Sequence, residues 1–98
     1  MTQRSLRFAP RAADDLSRMC LFLAERDLQG AEKALLAIRR ALTMAAMMPF
    51  SCRKAARHPY VRECLISFGS AGYVALFEIG DDHILVTAIR HQREDDYH

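Results

Sequence analysis

Near the middle of the chain the hydrophobic period changes, and this change limits the fold more than any other feature of the sequence. Through Ala45 the apolar residues return at helical spacing, whereas from Val61 they return at every second position. In the first half Ala12, Leu16, Met19, Cys20 and Leu23 mark one helical stripe. Ala31, Ala34, Leu35, Ile38, Leu42 and Ala45 mark a second, with Glu32, Lys33, Arg39 and Arg40 on its wet side. Pro10 suits the first position of the first helix, where a missing N–H costs nothing, and Asp14 and Asp15 lie near its positive end. Arg11–Asp15 and Asp14–Arg18 are i,i+4 pairs of opposite sign, expected on the polar side. The break Arg26-Asp27-Leu28-Gln29-Gly30 separates the two helices, with Asp27 placed to cap the second. That helix should stop before Pro49. Helices joined by so short a break pack as an antiparallel hairpin.

The strands read as directly. Ser5 to Phe8 alternates, with Leu6 and Phe8 on one side. Cys64, Ile66 and Phe68 share one face of a strand entered at Val61, and Gly69-Ser70-Ala71-Gly72 forms a turn. Tyr73 to Ile79 follows, then a turn at Gly80-Asp81-Asp82, then His83 to Ile89, rich in β-branched residues. Three consecutive strands with tight turns make an antiparallel meander. The expected fold is therefore α+β, in the order β-α-α-β-β-β, with a helical hairpin packed on a small antiparallel-meander sheet. Residues 1–98 are expected to form a single domain. A chain of this length buries only about two-thirds of its unfolded surface, so a partner that covers apolar surface would stabilise it.

Several function classes are set aside at this stage. With 51% hydrophobic residues the chain is not a disordered one, and a net charge of +2 points to no particular partner. No stretch approaches the roughly 18–20 apolar residues of a membrane span, and no apolar signal region follows the first residues, so a cytoplasmic location without membrane contact is expected. Cys20, Cys52 and Cys64 are odd in number and form no C-x-x-C pair, which reads as reduced thiols. Neither a metal site nor a cofactor is expected, since ligand clusters, Gly-rich phosphate loops and nucleophile elbows are all missing. Met44, Met47 and Met48 read as core or partner-facing filler.

Two basic groups flank the meander: Arg53-Lys54-Ala55-Ala56-Arg57-His58 with Arg62, and Arg90-His91-Gln92-Arg93. If they converge on one concave surface they make a phosphate site for RNA or a nucleic-acid-bound partner. The alternative is solvated loop charge, with Arg93 paired to Glu94 or Asp95. His91, Arg90, Arg93 and Tyr97 are also the residue types that RNA cleavage by 2′-hydroxyl attack requires. His91 would be acid or base, an arginine the cation, and Tyr97 a second proton donor or a stacking platform. Otherwise His91 and Tyr97 cap the sheet edge. His58, His83 and His98 sit at loop, turn and terminus and are expected to be exposed.

Four segments together resemble the RelE/ParE superfamily of toxins from type II toxin–antitoxin systems. They are Phe8-Ala9-Pro10-Arg11-Ala12-Ala13-Asp14-Asp15-Leu16, Val61-Arg62-Glu63, Phe68-Gly69-Ser70-Ala71-Gly72-Tyr73-Val74, and the closing Ile89-Arg90-His91-Gln92-Arg93-Glu94-Asp95-Asp96-Tyr97. Each is short, but they occur in the family's order over nearly the whole chain. The resemblance implies a toxin of a plasmid-stabilisation type system, causing growth arrest and held in a hetero-oligomer by a cognate ParD-like antitoxin. Apolar helix residues such as Leu35 and Leu42 are then candidates for antitoxin contact. The target is DNA gyrase in the ParE-like branch and ribosome-bound mRNA in the RelE-like branch, which cleaves it. RelE-like members carry lysines on the first meander strand and an arginine just after the Gly-Tyr turn. This chain has Cys64, Leu65, Ile66 and Ser67 on the former and Val74 at the latter. The ParE-like branch is therefore favoured and no catalytic residue is assigned. Arg62, Arg90, His91, Arg93 and Tyr97 are kept as candidates for target or nucleic-acid contact. His91, Arg93 and Tyr97 are the set that would act if the chain were a nuclease. An inactive relative that only holds an antitoxin is the remaining alternative.

Overall fold

The computed structural model describes residues 4–68 and 71–91. Ser5–Phe8 forms β1, Pro10–Arg26 forms α1 and Leu28–Met47 forms α2. A 3-10 turn at Pro49–Ser51 leads into β2 (Arg53–Ala55), β3 (His58–Phe68), β4 (Ala71–Ile79) and β5 (His83–His91). The five strands make one sheet in the order β1-β5-β4-β3-β2, with β3, β4 and β5 as the expected meander. β1 runs parallel to β5, from Ser5 opposite His83 to Phe8 opposite Val86.

The sheet differs from the expectation at its edge. Arg53-Lys54-Ala55, read as part of a basic loop, is a short strand against β3, and β3 begins at His58 rather than at Val61. His58 thus lies in a strand, although it is exposed. At the other turn β4 already includes Ala71 and Gly72, while Gly69 and Ser70 lie outside the described residues.

Both helices pack on one face of the sheet, and the apolar stripes meet there. Ala12, Ala34, Ile38, Leu42 and Ala45 join Cys64, Ile66, Phe77, Ile84 and Val86 in the core. A bulge between Leu76 and Phe77 pairs those residues with Ala88 and Val86, leaving Thr87 as the extra residue of β5. It lets Val86 and Ile89 both face the helices, where simple alternation would send one outward. The Thr87 hydroxyl closes the irregularity by donating to the Leu76 carbonyl at 3.3 Å.

The hairpin itself departs from the expected capping. Asp27 occupies the cap position of α2, but its side chain makes no capping hydrogen bond. Its backbone N–H instead satisfies the Leu23 carbonyl at the end of α1, at 2.8 Å. Among the described residues no helix is long and apolar enough to cross a membrane.

Candidate functional site

At the end of the sheet where β5 finishes, α1 stands away from the strands and leaves a cleft of roughly 560 Å³. Met19 and Phe22 of α1 form its apolar wall, and Asp15, Arg18, Tyr73 and His91 supply its polar groups. Tyr73 lies opposite His91 across the β4–β5 ladder, so pleating sends both to the helix side. Their rings meet edge-on at 5.5 Å and 87°, and Phe68 stacks against Tyr73 at 6.4 Å. Burial pushes the Tyr73 phenol above its ordinary value, with Cys20 adding to the effect, so the hydroxyl keeps its proton.

Asp15 is the residue that the sequence reading misplaced. Rather than standing in water opposite Arg11, it is buried, 6% exposed, and pairs with Arg18 one turn on. Its Oδ2 accepts the backbone N–H of Ile89 at 3.1 Å. The geometry explains why a hydrogen-bond acceptor is needed there. β1 stops at Phe8, where Ala9 takes the Val86 carbonyl at 2.9 Å, so Ile89 lies beyond the last parallel partner of β5. A buried N–H left there would go unsatisfied, and Asp15 completes the ladder from the helix. The spacing held a clue: Asp15 is three residues after Ala12 and four before Met19, which places it on the apolar stripe.

The candidate cations do not gather on one surface. Arg62 points to the helix side at the opposite end of β3, where its guanidinium donates to the carbonyls of Phe50 at 3.1 Å and Cys52 at 2.7 Å. It also lies over the Phe50 ring at 5.3 Å, so it holds the α2–β2 connection in place. Arg90 pairs with Val74 on the face away from the helices, whereas its neighbour His91 faces the cleft. Arg62, Arg90 and His91 thus occupy two faces and two ends of the sheet. Arg53 pairs with Glu63 across the ladder at 2.6 Å. Arg93 and Tyr97 lie outside the described residues.

Of the two apolar candidates, Leu35 is half-buried, but Leu42 is 0% exposed at the centre of the core and offers no surface to a partner. The exposed apolar residues of α2 are instead Leu36, Met44 and Met47, which recur at i, i+8 and i+11 and so share one stripe. Met48 beyond the helix is exposed as well. His83 is half-buried, packed against Gly80 and bonded to Asp82 at 2.8 Å. A Cβ at Gly80 would come within 2.5 Å of that imidazole, so a larger residue there would have to displace the His83 ring. Among the described residues no group of three or more His, Cys, Asp or Glu side chains could hold a metal ion.

Cys64 faces α2 and directs its sulfur at the Ala41 carbonyl, at 3.7 Å. Burial pushes its thiol from an ordinary value of 9.0 up to about 11. Above pH 9 the unfolded chain therefore gives up a proton that the folded chain retains. Stability should fall as pH rises from 9 towards about 11, by up to roughly 1.4 kcal/mol per pH unit, with no contribution from this thiol below that window. Denaturant titrations under reducing conditions check this, and Cys64→Ala should have the shallower slope in that window.

The chain, a helical hairpin laid on a meander whose last strand is joined in parallel by the first, is a toxin of the RelE/ParE superfamily by its family match. Within it, residues 6–96 match the family described as ParE toxin of type II toxin–antitoxin system, parDE, and the chain belongs to that family. It is 32% identical over 92 residues to Toxin RelE3 of Caulobacter vibrioides, covering 93% of this chain and 97% of the relative. Among solved structures it resembles one from the chromosomal ParDE toxin–antitoxin system of P. aeruginosa. That match has a TM-score of 0.73 at 19% identity, over 91% of this chain and 96% of the other. A conserved protein of Helicobacter pylori shares the fold at a TM-score of 0.59 and 16% identity, over 92% and 96% of the two chains.

Proposed function

We propose that this toxin arrests growth by inhibiting DNA gyrase, without cleaving RNA, and that a cognate ParD-like antitoxin neutralises it. One observation carries the choice of target: the middle of the meander has no cation. Cys64 and Ile66 of β3 are buried against the helices, Leu65 faces outward 49% exposed, and Val74 of β4 is buried. In the nuclease branch these strands supply the positive charge that meets the scissile phosphate. Loss of each preorganised group of that kind costs roughly 10²–10³ in rate. The separation of Arg90 from His91 onto opposite faces argues in the same direction, since two groups so placed do not meet one phosphate.

The antitoxin is expected to lay an apolar segment on the exposed side of α2, with Leu35, Leu36, Met44 and Met47 as the contacts, and to order as it binds. Target contact is expected at the β5 end of the sheet through Arg90 and His91, with Arg93 and Tyr97 as further candidates in the sequence that follows. Arg62 is left with a structural part. Purified protein freed of its antitoxin should inhibit gyrase supercoiling, and adding the antitoxin should restore it.

The name of the Caulobacter relative, Toxin RelE3, favours a second reading, a ribosome-dependent mRNA endonuclease. Primer extension on translated mRNA would then show cuts within codons, abolished by substituting His91 or Arg93.

A further inference from the structure

We propose that Cys52 and Cys64 form a reversible disulfide that ties the connection after α2 to β3 when the protein meets a low-molecular-weight disulfide oxidant such as glutathione disulfide. This lies beyond the choice of toxin target and does not depend on it. The β2–β3 register pairs Arg53 with Glu63, and one step further along it sets Cys52 directly opposite Cys64. Directly opposed residues of an antiparallel ladder point to the same face. Cys64 is buried in the core and Cys52 packs against that core half-buried, both as free thiols. The two thiols are near enough for each to act on the other's proton, and Cys52 adds to the upward push on Cys64.

The backbone fits as well. The Cys52 N–H donates to the Pro49 carbonyl at 3.3 Å, and its carbonyl accepts from Arg62 at 2.7 Å. Cys52 and Cys64 are thereby left as a non-hydrogen-bonded pair, the type whose Cα atoms stand about 4.5 Å apart with the side chains closest. A disulfide accepts Cα separations of roughly 4.4–6.8 Å, so closing it needs little backbone movement. Cys20 lies on α1, away from the β2–β3 connection.

The roles of the two thiols follow from their surroundings. Burial pushes the Cys52 thiol up and Arg62 beside it works against that rise, and Cys52 is the more accessible of the two, so it is the attacking group. Cys52 gives up its proton and attacks one sulfur of glutathione disulfide, forming a mixed disulfide and releasing one glutathione thiolate. Cys64 then gives up its proton and attacks Cys52 Sγ, forming the internal bond and releasing the second glutathione thiolate. Two electrons leave the protein thiols, the oxidant is reduced to two thiols, and the two protons pass to them. Because burial raises both protein thiols, the bond should form faster at pH 9 than at pH 7.

The test is incubation of the full-length chain with glutathione disulfide, followed by alkylation, intact mass and peptide mapping. The expected result is a loss of two hydrogens, one alkylatable thiol remaining, and a linked pair of peptides carrying residues 52 and 64. Cys20→Ser should behave the same way and leave no alkylatable thiol. Cys52→Ser should form no internal bond. The thermal midpoint of the oxidised chain should rise by on the order of 10 °C and return on reduction. The proposal is overturned if all three thiols stay alkylatable, if the bond formed includes Cys20, or if oxidation lowers the thermal midpoint.

Discussion

Leu42→Ala is expected to cost about 2–5 kcal/mol of folding stability, the range found when a fully buried leucine is truncated and its cavity relaxes only in part. Leu42 is 0% exposed and sits among the apolar side chains where α2 meets the sheet. For a domain whose total stability is of order 5–15 kcal/mol, this is a large share. The loss should appear as a lower urea midpoint with an unchanged slope, because the surface exposed on unfolding is nearly the same. It should also separate stability from recognition. Measured on folded protein, antitoxin affinity should hold for Leu42→Ala and fall for substitutions at Leu36 or Met44. Intact stability with lost antitoxin binding would instead place Leu42 on the partner surface.

Asp15→Ala is the second large effect, expected at about 1–3 kcal/mol, because it leaves the Ile89 N–H buried without an acceptor. Asp15→Asn keeps an oxygen for that N–H and loses only the charge facing Arg18. The Arg18 side chain is 75% exposed, and an ion pair so open to water is worth little. The asparagine variant should therefore stay close to the parent, and hydrogen exchange at the Ile89 amide should accelerate only in the alanine variant. Equal losses in both variants would shift the weight to the ion pair and away from the ladder.

These two residues also show where the sequence was legible. The helical stripe through Ala34, Ile38, Leu42 and Ala45 marked core positions correctly, because a buried helix face repeats locally and the repeat is visible in any short window. The same stripe gave no warning that Leu42 was unavailable to a partner, since full burial depends on the sheet packed above it. Asp15 was misread because an acid four residues from an arginine matches a wet helix face. Its actual partner, Ile89, is 74 residues away. β2 escaped notice for a related reason: three residues are too few to show a period, and the strand exists only through its pairing with β3.

The candidate site was legible as residue types rather than as geometry. Ending the last strand at Ile89 left Arg90, His91 and Arg93 looking like one basic cluster. β5 continues through His91, so adjacent residues alternate, with Arg90 on the open face and His91 towards the cleft. Arg62 looked like a free cation because nothing in its neighbourhood in sequence pointed to the carbonyls of Phe50 and Cys52 that hold it.

The proposed target is tested most directly by offering one preparation of antitoxin-free toxin to two systems in parallel. One contains purified gyrase with relaxed plasmid, the other translating ribosomes with a defined mRNA. The prediction is inhibited supercoiling with trapped gyrase–DNA cleavage products, alongside an intact mRNA. Unimpaired supercoiling together with codon-associated cuts that vanish on substituting His91 would contradict it.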